Sequence, residues 1–229
     1  MRVSEIFGPT VQGEGPSTGR PAVFVRLWGC NLDCAWCDTP YTWDVSGKNG
    51  TPYRRDDEST VMTADEVAER VVELAGPTLD YCVVISGGEP LLQADDVLQL
   101  IAALPVHVEV ETNGTIPPPI DSVGVSYNVS PKLPHARTTR LSLRPDVLAA
   151  FLQLVESPVG FKFVCEQPDD LDDIAALHLP PTWTWIMPEG RDAATIIERG
   201  RTLAPHVIDH GYNLSTRLHV LLWGDERGV

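Results

Sequence analysis

Three cysteines, Cys30, Cys34 and Cys37, stand within eight residues in the order C-x3-C-x2-C. Three thiolates on one short loop can hold three irons of a [4Fe-4S] cube and leave the fourth iron open to a substrate. Zinc is the competing reading, but closed structural zinc takes four protein ligands. No fourth Cys or His lies near in sequence, which leaves His107 and His135 as donors from elsewhere in the fold. Cys82 in YCVVIS and Cys165 in GFKFVC sit in apolar runs and read as small buried hydrophobes. An odd, clustered set of five cysteines suits a reducing compartment better than a disulfide framework.

A second motif, Gly87-Gly88-Glu89-Pro90, follows the run YCVVIS. Its glycines allow close backbone approach, and Glu89 can pair with an ammonium. The cysteine loop, with Trp36 just before its third cysteine, and this Gly-Gly-Glu together resemble the radical S-adenosylmethionine superfamily. The resemblance implies that the open iron chelates the methionine end of S-adenosylmethionine, whose reductive cleavage yields a 5′-deoxyadenosyl radical. It also places the Gly-Gly-Glu segment against the methionine amino group. Further segments narrow the likeness: Gln12-Gly13-Glu14-Gly15, the run from Gly19 to Cys30, Trp36-Cys37-Asp38-Thr39, Glu111 to Thr115, Ser130-Pro131-Lys132 and Met187 to Gly190. These resemble the 7-carboxy-7-deazaguanine synthase family.

That likeness implies a lyase in deazapurine (queuosine-type) biosynthesis. It would contract 6-carboxy-5,6,7,8-tetrahydropterin to 7-carboxy-7-deazaguanine with loss of ammonia, using S-adenosylmethionine, a [4Fe-4S] cluster and Mg²⁺. No side chain is then the reacting group, because the cofactor radical does the chemistry. The implied cluster ligands are Cys30, Cys34 and Cys37, and Thr39 is the protein's ligand to a mostly hydrated Mg²⁺. Trp36, Cys37, Asp38, Gly88, Ser130, Pro131 and Lys132 would form the S-adenosylmethionine site. Gln12, Gly13, Glu14, Arg26 and Ser86 would meet the pterin, with Arg26 as a bidentate fork for its carboxylate. A homodimer and a flavodoxin- or ferredoxin-type reductant are also implied. Some relatives carry a longer insertion between the first two cysteines, and residues 45–60 and 134–144 match no family segment. An activase that installs a radical in a partner protein would share the cysteine loop and Gly-Gly-Glu, but has no evident use for Gln12 to Gly15 or Thr39.

These residues need a scaffold. Strands are expected at 22–28, 81–86, 106–111, 123–129, 160–165, 183–187 and 216–222. Helices are expected at 64–75, behind the capping box Thr63-Ala64-Asp65-Glu66, and at 94–103, 145–156, 168–177 and 192–203, the last stopping before Pro205. Strands alternating with helices give an α/β fold, and about six parallel strands fall short of a closed eight-fold barrel. The expectation is an incomplete (β/α) barrel in one domain spanning 1–229. Ligands collect at the C-terminal ends of such strands, which is where Cys30, Gly87, Thr112 and Ser130 fall. Residues 40–61 read as a long irregular excursion and, with Gln12 to Gly15, as a candidate lid.

Composition excludes some alternatives. Seventeen Lys plus Arg against 32 Asp plus Glu give a net charge of −15, the wrong sign for tracking phosphates, so no nucleic-acid partner is expected. No apolar run reaches the roughly 20 residues of a membrane helix, and the start MRVSEIFGPT has no signal-peptide core. A cytoplasmic protein without membrane contact is expected. An acidic redox partner would need a local basic patch, at Arg54-Arg55 or at Arg191, Arg199 and Arg201, although solvated arginines explain each as well. Glu109 and Glu111 share one side of a strand and read as a solvated or ion-paired face, Glu111 being the better functional candidate. Lys162 reads as a polar strand face, and Arg217 and His219 as residues able to reach the barrel mouth.

Overall fold

The computed structural model describes residues 1–77 and 80–229. Its strands are β1 (Arg2–Val11), β2 (Pro21–Leu27), β3 (Thr60–Val61), β4 (Cys82–Gly87), β5 (Val108–Thr112), β6 (Val125–Val129), β7 (Val159–Cys165), β8 (Thr184–Pro188) and β9 (Asn213–Leu214). Its helices are α1 (Arg55–Glu58), α2 (Ala64–Ala75), α3 (Ala94–Ala103), α4 (Pro145–Phe151), α5 (Asp170–Ala175), α6 (Ala193–Asp209) and α7 (Leu218–Trp223). All strands join one sheet in the order β3-β1-β2-β4-β5-β6-β7-β8-β9. From β2 onward every neighbouring pair is parallel, six full strands being followed by the two-residue β9. β1 runs antiparallel to β2 and β3. The two ends of the order do not pair, so the sheet is an incomplete barrel, as expected.

Period two along the strands decides what faces what. One set, including Val23, Val25, Leu27, Val83, Ile85, Val108, Val110, Tyr127, Phe161 and Phe163, joins residues of α2 to α6 in the main core. The alternate set faces the hollow of the half-barrel and is largely polar: Arg26, Ser86, Glu109, Glu111, Asn128 and Lys162. The parallel register sets them side by side, Arg26 opposite Ser86 and Glu111 opposite Asn128. The capping box of α2 forms as expected, with Thr63 Oγ1 accepting from Glu66 N and Glu66 returning to Thr63 N at 2.7 Å.

Three expectations need correction. Residues 216–222 form no strand: Leu218–Trp223 is the helix α7, within which only Val220 is fully buried, and short apolar runs do not distinguish the two periods. The helix from residue 192 does not stop at Pro205 but runs to Asp209. Pro205 and Arg201, whose carbonyl loses its bond, are both exposed, while Leu203 and Val207 carry the buried face across the proline. The excursion 40–61 is partly regular, containing a 3₁₀ turn at Pro40–Thr42, α1 and β3. β1 was absent from the expected strands; its mixed burial pattern lacks clean alternation, and its ladder to β2 is broken by register shifts.

Candidate active site

One pocket opens at the C-terminal ends of the parallel strands, and Cys30, Cys34 and Cys37 all line it. The cysteine loop leaves β2 through Gly29, whose amide donates to Thr42 O at 2.7 Å and whose carbonyl accepts from Glu89 N at 2.7 Å. The double glycine is required for this closeness. A Cβ on Gly88 would lie 2.1 Å from Gly29 O and 2.8 Å from Cys30 Cβ. Gly87, at φ +140°, would place one 2.2 Å from Leu27 O.

The donor set fits a [4Fe-4S] cluster. All three thiols are free, and among the described residues no three His, Cys, Asp or Glu side chains converge as a single ion requires. His107 bonds Ser126 Oγ at 2.8 Å and His135 lies 3.4 Å from Asp170, neither in the pocket wall, so the zinc alternative gains no fourth ligand. Burial pushes the Cys30 thiol up to about 12 and raises Cys34 and Cys37 as well. Thiolates here therefore need a cationic group to neutralise them. Two N–H groups already point at the sulfurs: Leu32 N to Cys30 Sγ at 3.4 Å and Trp43 Nε1 to Cys37 Sγ at 3.2 Å. Cys82 and Cys165 are fully buried in strands, as expected.

Glu89 does not present its carboxylate to a ligand. It is fully buried and accepts from Leu91 N, Thr112 Oγ1 and Asn113 N at 2.7 to 3.0 Å. Its work is to tie the glycine turn to the end of β5, because a buried carboxylate must be satisfied by local donors. Asn113 and Thr115 continue the tie, bonding Asn31 in the cysteine loop at 2.8 and 2.7 Å.

The facing wall is charged. Glu14 is ion-paired with Lys162 and, at 3.0 Å, with Arg217, which also binds Asp38. Burial alone would raise the Glu14 carboxyl, but Lys162 and Arg217 outweigh it and hold it well below the ordinary range. Gln12 is buried, and its amide donates to Glu109 at 2.6 Å and Glu111 at 3.1 Å while its carbonyl accepts from Glu14 N. The expected solvated or ion-paired face of Glu109 and Glu111 is thus wrong for Glu109, which is 3% exposed and is met by the neutral donors Gln12 and Ser17. Burial, then the neighbouring Glu111 charge, pushes its carboxyl up to about 7. Glu111 lines the pocket 4.0 Å from Lys162.

The pocket also gathers Gly13, Arg26, Trp36, Asp38, Thr39, Ser86, Ser130 and Lys132. Gly13 O accepts from Leu218 N at 2.8 Å, so α7 closes the open side of the barrel against the N-terminal loop. Arg26 is held by Glu5 through Nε at 2.7 Å. Thr39 Oγ1 lies 3.8 Å from Cys37 Sγ. Lys132 donates to Ser130 O and Oγ at 2.7 and 2.8 Å and lies 5.9 Å from the Trp36 ring centre. Pro131 is buried behind this wall and does not line the pocket. Three residues were missed. Trp43 and Glu5 sit in segments without a readable period, and Arg191, expected at a docking patch, instead donates to Cys37 O at 2.7 Å and lines the pocket.

Comparison with known proteins agrees with this geometry. Residues 28–147 match the model of the radical SAM superfamily. A 7-carboxy-7-deazaguanine synthase of Pyrobaculum aerophilum is 34% identical over 239 residues, covering 100% of this chain and 97% of the relative. One of Bacillus subtilis is 31% identical over 246 residues, covering 99% and 98%. The crystal structure of QueE from Escherichia coli superposes with a TM-score of 0.69 at 27% identity, covering 95% of this chain and 94% of that one. With its cysteines, glycine turn and charged wall around one pocket, the chain belongs to the radical SAM superfamily and, within it, to the 7-carboxy-7-deazaguanine synthase family.

Proposed function

We propose that this chain converts 6-carboxy-5,6,7,8-tetrahydropterin to 7-carboxy-7-deazaguanine with loss of ammonia, in deazapurine biosynthesis. The observation that carries the reading is that the three cysteines and the polar inner layer of the sheet open into one pocket. When bound, the [4Fe-4S] cluster on Cys30, Cys34 and Cys37, with S-adenosylmethionine, supplies the one-electron cleavage that creates a hydrogen-abstracting radical. The protein's part is to position and to exclude water.

Glu5 fixes Arg26 through Nε and leaves its terminal nitrogens for a substrate carboxylate. Gln12 is oriented by three bonds, Glu14 is kept ionised by two cations, and both, with Gly13 and Ser86, form the pterin wall. Glu111 is the further carboxylate in the wall and can accept a ring N–H. Trp36, Asp38, Gly88, Ser130 and Lys132 stand on the S-adenosylmethionine side, with Pro131 supporting from behind. Thr39 makes no capping bond in its turn, which leaves its hydroxyl for Mg²⁺. A flavodoxin- or ferredoxin-type donor, a homodimer and a cytoplasmic location complete the proposal; no described helix is long and apolar enough to cross a membrane.

The test is anaerobic reconstitution followed by incubation with S-adenosylmethionine, Mg²⁺, a reductant and the carboxypterin, read by mass spectrometry. 7-Carboxy-7-deazaguanine formed with little net loss of S-adenosylmethionine is the expected result. 5′-Deoxyadenosine without a deazapurine would reject the pterin and direct attention to a protein substrate.

A further inference from the structure

Trp43 lines the pocket, yet the reading above gives it no task. It follows the 3₁₀ turn Pro40–Thr42, its amide donating to Pro40 O at 3.1 Å. Its indole Nε1 donates to Cys37 Sγ at 3.2 Å, the only side-chain N–H to reach a cluster cysteine's sulfur among the described residues. The other groups near Cys37 are differently placed: Arg191 is committed to the Cys37 carbonyl, and Thr39 Oγ1 is 3.8 Å from the sulfur. Cys34 Sγ has no hydrogen bond among the described residues, and Cys30 Sγ has one backbone amide at 3.4 Å. One corner of the cysteine triad therefore carries a side-chain N–H donor that the other two lack.

Hydrogen bonds to cysteine sulfur are among the levers that set a cluster's potential. An electron entering the cluster increases the negative charge on its thiolate ligands, so an N–H aimed at one of them stabilises the reduced form more than the oxidised form. An indole adds no charge and does not titrate, so its effect is independent of pH. We propose that Trp43 tunes the reduction potential of the [4Fe-4S] cluster by donating its indole N–H to the Cys37 thiolate. It thereby makes the cluster easier to reduce by a low-potential one-electron donor. Trp43 is a positioning and tuning residue; no bond to it forms or breaks. The inference rests on the cluster reading and is independent of the pterin.

The test compares reconstituted wild type with Trp43→Phe, which keeps an aromatic ring and removes the donor. Cluster content is measured as iron and sulfide, and the reduced cluster is followed by EPR during a potentiometric titration. At the poise where wild type is half reduced, the reduced-to-oxidised ratio of the variant should fall about threefold, which is about 30 mV at 59 mV per tenfold for one electron. An unchanged midpoint in a fully loaded variant overturns the inference. Should the variant fail to take up a cluster, pulsed EPR on the reduced Trp36→Phe protein carrying ¹⁵N-tryptophan decides: an indole nitrogen coupling supports the bond and its absence overturns it. A wild-type chain that binds no cluster ends the cluster reading and this inference together. A loaded cluster that yields no deazapurine ends the pterin reading alone.

Discussion

The wall around Cys30, Cys34, Cys37 and Gly88 is made by removing side chains, so that backbone approaches backbone and three thiols share a small space. The wall around Gln12, Glu14, Lys162 and Arg217 is made by adding charge, each group satisfied by another before any ligand arrives. The first comes mainly from the chain around residues 28–43 and its glycine-turn neighbour; the second draws on distant segments, Glu14 and Arg217 being 203 residues apart in the sequence. A wall that must coordinate a cluster needs room and soft donors. A wall that must orient a polar ring needs fixed dipoles, and a dense ion-pair network fixes them without further cost on binding.

The largest expected effect strikes the first wall. Cys37→Ser should abolish the iron-sulfur absorbance of the reconstituted protein and all cleavage of S-adenosylmethionine, while the apo-protein melts close to wild type. A retained cluster would remove Cys37 from the ligand set. On the second wall, Lys162→Met leaves Glu14 with one cation fewer in a buried setting, where breaking an ion pair costs about 3 kcal/mol. Denaturant unfolding should show that loss, and the pterin KM should rise with cluster content unchanged. If cluster loading fell instead, the two walls would not be separable.

Gly88→Ala returns to the first wall with a smaller change. Overpacking of this kind costs about 1–3 kcal/mol, and because the intruded atoms are Gly29 O and Cys30 Cβ, it should lower cluster occupancy more than thermal stability. Equal occupancy would mean the loop yields freely. The last effect is a pH dependence and belongs to Glu109. The folded chain holds its proton up to about 7, whereas an ordinary Glu carboxyl loses it near 4.5. Stability should therefore fall as pH rises across that window, at up to about 1.4 kcal/mol per pH unit, and level off above it. Glu109→Gln should flatten the slope; an unaltered pH dependence of the melting temperature would show that another group titrates there.

The contrast also explains what could be read from the sequence. The cysteine loop, Gly87-Gly88 and the strands beside them were legible because their constraints are local: thiol spacing, a turn that admits no Cβ, apolar runs of strand length. The inner polar layer was half legible. Alternation in VHVEVE and GFKF announces a shared face but not its environment, so Glu109 reads as solvated or ion-paired when it is buried among neutral donors. The partner of Glu14 was beyond sequence reasoning, since nothing near residue 14 announces Lys162 or Arg217. Glu89 misled for the opposite reason: its motif was recognised, but its carboxylate is consumed by the amides of Leu91 and Asn113. Pro205 misled because a solvent-facing carbonyl can go without its bond when Leu203 and Val207 keep the helix docked.

The seam where Gly13 meets Leu218, Gly15 meets Ser215 and Glu14 meets Arg217 sets an order on how the molecule comes into being. The cysteine loop and its glycine-turn neighbour are complete once the ribosome has passed the first parallel strands, but the opposite wall waits for Arg217. At about 5–20 residues per second, the 203 residues between Glu14 and Arg217 take roughly 10–40 s to synthesise. In the later part of that interval, after Gly88 is made, the nascent chain presents three thiols in a hollow with one side missing. The half-barrel is then most accessible to a donor of iron and sulfide, and least protected from oxygen.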